Sequence, residues 1–307
     1  MKVNVRDSYG TALVELGEQD SSVVALDADL SASTKTAQFG KRFPERFFNM
    51  GISEQDMVGT AAGMASCGKH PFVSTFCVFL PGRSFDQVRM GVGYPNLKVK
   101  FVSTHGGISV GKDGASHHAN EDIAMMRALP NIDIYIPSDP HATYTTIKHI
   151  YLADHPCYVR LFRDSVDYLY DESEQFDPTR SHVLQEGDDV GIITCGFSTH
   201  EALKACETLR NEGISPQLVD LQVLRPLDEA TIRKVAQRCG RLITVEDHSA
   251  YGGVGGAIAE FLSESYPTHI ERIGVRSFTE SGSPRSLYEK YGLSEETIVR
   301  TAKELTQ

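Results

Sequence analysis

Short apolar runs alternate along the chain with stretches in which apolar residues recur every three or four positions. The runs Ser22–Leu26, His70–Phe76, Leu97–Ser103, Ile132–Ile136 and Cys157–Leu161 predict buried strands. Between them, Ser8–Leu16, Ser84–Met90, Asn120–Leu129 and Pro140–Ala153 predict helices. A further helix is predicted from Ser53 onward, where Met57, Val58, Ala61, Ala62, Met64 and Ala65 fall at helical spacing. From Asp164 to about Glu186 the rhythm stops; acidic and polar residues dominate around Pro178. The alternation then resumes, with strands at Asp189–Thr194, Pro216–Asp220, Arg241–Val245 and Ile270–Val275. Helices are predicted at His200–Asn211, Asp228–Arg238, Gly255–Ser263 and Ser294–Leu305. Strand–helix alternation implies parallel sheets covered on both faces. The expectation is two doubly wound α/β domains, 1–165 and 187–307, joined by a linker over 166–186.

A chain of 307 residues, 40% apolar and 23% charged, has the composition of a globular protein of about two domains. Its net charge of −11 argues against nucleic acid as a main partner, because phosphate neutralisation needs clustered Lys and Arg. No apolar run reaches the length of a bilayer span, and Met1–Asp7 contains no secretory apolar region. Six scattered cysteines without a Cys-x-x-Cys spacing suggest reduced thiols in a cytoplasmic protein, and neither a disulfide frame nor a metal site.

Ligands of open parallel sheets bind beyond the carboxyl ends of the strands, and several polar clusters fall there. After the short strand Phe47–Met50, Gly51 allows a turn and Ser53 is placed to cap a helix with its side-chain oxygen. Glu54 then opens a mostly buried helix, where a dry carboxylate must find a partner or take a proton. His105–His118 is rich in Gly, His and Asp; imidazoles and a carboxylate suit proton transfer and hydroxyl recognition near neutral pH. Phe76 and Phe79 end a strand, where they can pack in the core or contact a flat ring. Arg163 follows the last strand of the first unit, and its fork suits phosphate or sulfonate; Arg160, two residues earlier, competes for that role. Tyr251–Ala257 imitates a dinucleotide fingerprint, but a lone glycine-rich turn is weak evidence and nucleotide binding is not expected there.

Asn49–Gly59 resembles the glutamate motif of the pyrimidine-binding domain of thiamine-diphosphate enzymes. In the other loop a His is followed eight positions later by Asp and four later by a second His, which resembles transketolase. The relative 1-deoxyxylulose-5-phosphate synthase usually opens this loop with Asp, whereas this chain has His105. The resemblance implies that Glu54 pairs with the cofactor's aminopyrimidine, between Phe76 and Phe79, and that His117 sits over the thiazolium. It further implies that Asp113 binds the hydroxyl next to the carbonyl, and that His105, Arg163, Arg6 and Ser33 hold the substrate phosphate. The Gly-Asp-Gly…Asn motif that grips diphosphate and Mg²⁺ is missing; Glu186–Asp189 is its nearest approach and has no matching Asn. The chain thus resembles the C-terminal half of a transketolase. It is expected to be one subunit of a split enzyme, with an N-terminal subunit supplying diphosphate and Mg²⁺ in an α2β2 assembly acting on sugar phosphates. Two alternatives stay open. One is a β subunit of a 2-oxo-acid dehydrogenase or a 1-deoxyxylulose-5-phosphate synthase-like enzyme. The other is a non-catalytic scaffolding subunit.

Overall fold

The computed structural model describes residues 2–171 and 176–307. Its larger sheet has seven strands in the order Val223–Arg225, Asp133–Tyr135, Cys157–Arg160, Lys100–Ser103, His70–Ser74, Val23–Asp27 and Phe47–Asn49. All neighbours run parallel except Val223–Arg225, an antiparallel edge strand donated by the second half of the chain. The second sheet has five strands, ordered His269–Val275, Arg241–Ser249, Val190–Thr194, Pro216–Asp220 and His182–Gln185, with the last antiparallel. That edge strand lies within the span expected to be a linker; residues 172–175 of the span lie outside the described residues.

The α/β class follows from side-chain periodicity. Successive strand residues point to opposite faces, so Val23 and Ala25 join one apolar cluster while Val24 and Leu26 join another. Both faces of the strand are dry, which is why it reads as a continuous apolar run. On one face lies the helix Val5–Gln19, with Tyr9, Leu13 and Leu16 buried. On the other lies Glu54–Ser66, with Met57, Val58 and Ala61 buried. Each large apolar side chain buried in this way contributes about 1.5–3 kcal/mol. The second of these clusters continues through Ile193, Val219, Ile232, Val254 and Ile258, so the two sheets share a core.

Three helices carried too little apolar periodicity to be read from sequence: Ser31–Thr34, Ala37–Arg42 and Pro284–Tyr291. The expected Ser84–Met90 helix begins earlier, at Leu80, and passes into a wider turn over Gln87–Gly93. A two-stranded ribbon, Val3–Asn4 against Ser165–Val166, ties the start of the chain to the end of the first unit. This ribbon brings Arg6 and Arg163 side by side.

Candidate active site

Glu54 is the first residue of its helix. Gly51 makes the turn into that helix with φ of 71°, a conformation that glycine adopts without steric cost. The expected Ser53 cap is not made by the side chain; its main-chain oxygen accepts from Met57 N–H at 2.9 Å instead. The Glu54 carboxylate is only 4% exposed and accepts a 2.7 Å hydrogen bond from Arg83 Nη1. Arg83 comes from the helix Leu80–Asp86, and its guanidinium lies over the Phe79 ring, 3.9 Å from the centroid. Sequence reasoning missed Arg83; the available signal was its spacing of four residues from Phe79, which puts both on one helix face.

Phe76 and Phe79 lie nearly parallel, 5.7 Å between centroids. The His105 ring stacks on Phe76 at 3.8 Å, and His117 stands edge-on to Phe79 at 5.3 Å. The two histidines and two phenylalanines singled out from sequence therefore meet. His117 Nδ1 is engaged with Ser116 Oγ at 2.9 Å. His105 is buried, with φ of 62° and Nδ1 2.8 Å from Thr104 Oγ1. Burial, then the charges of Arg6 and Arg163, push its imidazole down to about 3, so it is neutral at neutral pH.

Beside His105 lie two arginines, Arg6 and Arg163, whose charges both act on its ring. Arg6 donates to Ser33 O at 2.8 Å, to Arg163 O at 3.2 Å and to Asn4 Oδ1 at 2.9 Å; its Nη1 is 3.5 Å from His105 Nε2. Arg163 donates to Val110 O at 2.7 Å and pairs with Asp113 Oδ2 at 3.3 Å. Burial and then the Arg163 charge lower the Arg6 value. Neighbouring like charges favour an anion close by. Ser33 meets Arg6 through its main-chain oxygen. Arg160 is not a competitor for that anion: it is buried against Asp122 at 2.8 Å and donates to the carbonyls of Ala119 and Asp247.

The His105–His118 loop is held by the second half of the chain. Asp247, buried at the end of the strand Arg241–Ser249, accepts from Ile108 N–H at 2.7 Å and Ser109 N–H at 3.3 Å. Gly107 lies so close to this carboxylate that a Cβ there would collide with it. His118 is fixed between Thr279 Oγ1 and Gly111 O, at 2.7 and 3.0 Å, and Ser281 Oγ donates to Lys112 O at 2.6 Å. The glycine-rich turn opens the helix Val254–Ser265, whose first N–H groups, Val254 and Gly255, donate to buried Glu246 at 2.6 and 2.9 Å. That internal carboxylate fills the place a nucleotide phosphate would need. Among the described residues no group of three or more His, Cys, Asp or Glu is placed to hold a metal ion, and no helix is long and apolar enough to cross a membrane.

The sequence profile of the transketolase pyrimidine-binding domain matches residues 1–167, and that of the transketolase C-terminal domain matches residues 180–298. The chain belongs to the transketolase family. A protein of Methanocaldococcus jannaschii described as a transketolase C-terminal section is 44% identical over 98% of this chain and 95% of its own. A 6-deoxy-6-sulfo-D-fructose transketolase subunit of Clostridium is 37% identical, over 99% and 94%. Among solved structures, a split gene transketolase in an inactive beta4 tetramer superposes with a TM-score of 0.90 at 43% identity, covering 100% of this chain and 99% of that one. Within the transketolase fold, the loop and the Glu54 helix both lie at the carboxyl ends of first-sheet strands, where ligands of parallel sheets bind.

Proposed function

We propose that this chain is the C-terminal subunit of a thiamine-diphosphate-dependent transketolase that moves a two-carbon ketol unit between sugar phosphates. It would work with a separate N-terminal subunit that holds the diphosphate and Mg²⁺. The carrying observation is that a buried carboxylate, Glu54, and an aromatic face, Phe79, already hold a flat nitrogen donor, the Arg83 guanidinium. An aminopyrimidine is a group of the same kind, so the residues present fit the ring half of the cofactor. Near-full-length similarity to proteins described as transketolase sections and subunits supports the two-chain reading.

When bound, thiamine diphosphate supplies the nucleophilic carbon that takes up the two-carbon unit. Glu54 would hold the ring through a hydrogen bond between its carboxylate and a ring nitrogen. Phe76 and Phe79 keep water from the ring. His117, with Nδ1 turned to Ser116, presents Nε2 to take or return a proton at a sugar oxygen. Asp113 accepts a sugar hydroxyl. Arg163 and Arg6 hold the anionic end, phosphate or sulfonate, and His105 contributes a neutral imidazole rather than charge. Ile52, 76% exposed next to Glu54, and Phe278, 90% exposed next to Thr279, offer apolar contacts to the partner chain.

The test is reconstitution. The isolated chain is expected to self-associate and to be silent. Mixed with a diphosphate-binding chain, thiamine diphosphate and Mg²⁺, it should turn over a ketose phosphate with an aldose phosphate. Turnover of a 2-oxo acid with a lipoyl acceptor instead would favour the dehydrogenase reading. Full activity of the chain alone would refute the split.

A further inference from the structure

Phe79 is engaged on every side that matters for stacking. Phe76 lies nearly parallel to it at 5.7 Å, His117 meets it edge-on at 5.3 Å, and the Arg83 guanidinium covers it at 3.9 Å. The same guanidinium donates to Glu54. Two features of the ring seat, the stacking face and the hydrogen-bond acceptor, are thus filled by one side chain of the protein itself. Guanidinium and aminopyrimidine are both planar, carry N–H donors and stack on aromatic rings. The Arg83 side chain is 44% exposed, so it has a path to water, whereas Phe76 and His105 are buried and have none.

We infer that Arg83 is a built-in occupant of the ring seat, which holds Glu54 and Phe79 in place in the free chain and must swing aside when the aromatic ring of the cofactor enters. The inference rests on the reading that Glu54 and Phe79 receive that ring. Its physical content is a competition. While Arg83 covers the seat, only the fraction of molecules with the seat open can bind, and apparent affinity falls by that fraction. In the free chain the occupant gives the dry carboxylate of Glu54 a cationic partner, which it would otherwise lack.

The experiment is a calorimetric titration of thiamine diphosphate into the Mg²⁺-containing complex reconstituted with the partner chain, for native protein, R83M and R83K. Met keeps the aliphatic stem without the flat cation, and Lys keeps the charge without the plane. R83M is expected to bind roughly three- to tenfold more tightly than native, the gain from removing an occupant that leaves the seat open about a tenth to a third of the time. R83K should fall between the two. Unchanged or weaker binding by R83M overturns the inference, because Arg83 would then orient Glu54 in the loaded state as well. E54Q in the same titration reads the underlying assignment separately. If E54Q binds as tightly as native, the ring seat itself is misassigned, whatever Arg83 does. If E54Q binds more weakly while R83M shows no gain, only the occupant role falls.

Discussion

Glu54, through Arg83, and the His105–His118 loop both reach Phe79, yet they are held by different means. The loop is sewn to the second half of the chain: Asp247 takes two of its N–H groups, Thr279 its His118, and Ser281 its Lys112 carbonyl. Arg160 fixes the far end through the Ala119 carbonyl. The Asp247, His118 and Arg160 bonds are buried, and leaving a buried polar group unpaired costs about 1–3 kcal/mol, so the loop geometry is set before any ligand arrives. Glu54, by contrast, has one half-exposed partner, and exposed Ile52 lies beside it. The two flanks differ in what remains to be done. The loop is complete within this chain, while the Glu54 flank has an open side that another polypeptide can close. The second sheet thus supports the candidate site indirectly, through Asp247 and the loop it holds.

Substitutions at four positions would break or sharpen that contrast. The largest effect is expected from E54Q, which keeps shape and removes the charge. Activity of the reconstituted complex should fall by about 10²–10⁴-fold, the usual worth of a positioned acid–base group. A loss below tenfold would remove Glu54 from the chemistry. Next is D247A, which strands the N–H groups of Ile108 and Ser109 at a cost of about 1–3 kcal/mol. Hydrogen exchange should accelerate over residues 106–113 and stay unchanged over 54–66, with D247N restoring part of the protection. Acceleration of both flanks alike would mean that they are not held independently. R163M should raise KM for a phosphorylated substrate roughly tenfold with a smaller change in kcat, as expected when an ionic hydrogen bond present in ground and transition states is removed. An unchanged KM would place the anion elsewhere.

A further effect concerns pH. Folding holds His105 near 3, against about 6.5 in an unfolded chain, so the folded state favours the neutral ring. The unfolded state therefore binds more protons between those values. Stability from this group is full above about pH 6.5 and is lost as pH falls toward 3. H105Q should flatten the decline of unfolding free energy between pH 6 and pH 4, read by denaturant titration. An unaltered slope would mean that His105 is not held neutral.

Much of the site was legible because its signals are local. Glu54 after a turn-permitting glycine, the His–Asp–His spacing and the Phe76–Phe79 pair each lie within a few residues of chain. The partners of these residues were not legible. Asp247 lies 139 residues from Ile108, and Thr279 lies 161 from His118, and no periodicity links such positions. The strand Val223–Arg225 was invisible for a related reason. It is short, and its pairing partner, Asp133–Tyr135, belongs to the other half of the chain. Ser53 shows the opposite failure: a residue type that suits a cap, in a backbone geometry where the main-chain oxygen serves instead.

By itself, the order of apolar and polar residues determined two α/β units and the chemical groups that line their strand ends, because side-chain direction repeats with the local backbone. Only the tertiary structure decided which carboxylate supports the loop, that Glu54 is met by Arg83, and that two arginines from opposite ends of the first unit lie side by side. Those pairings depend on how distant segments pack, and burial makes them strong where the sequence alone gives each group the same standing as any solvated one.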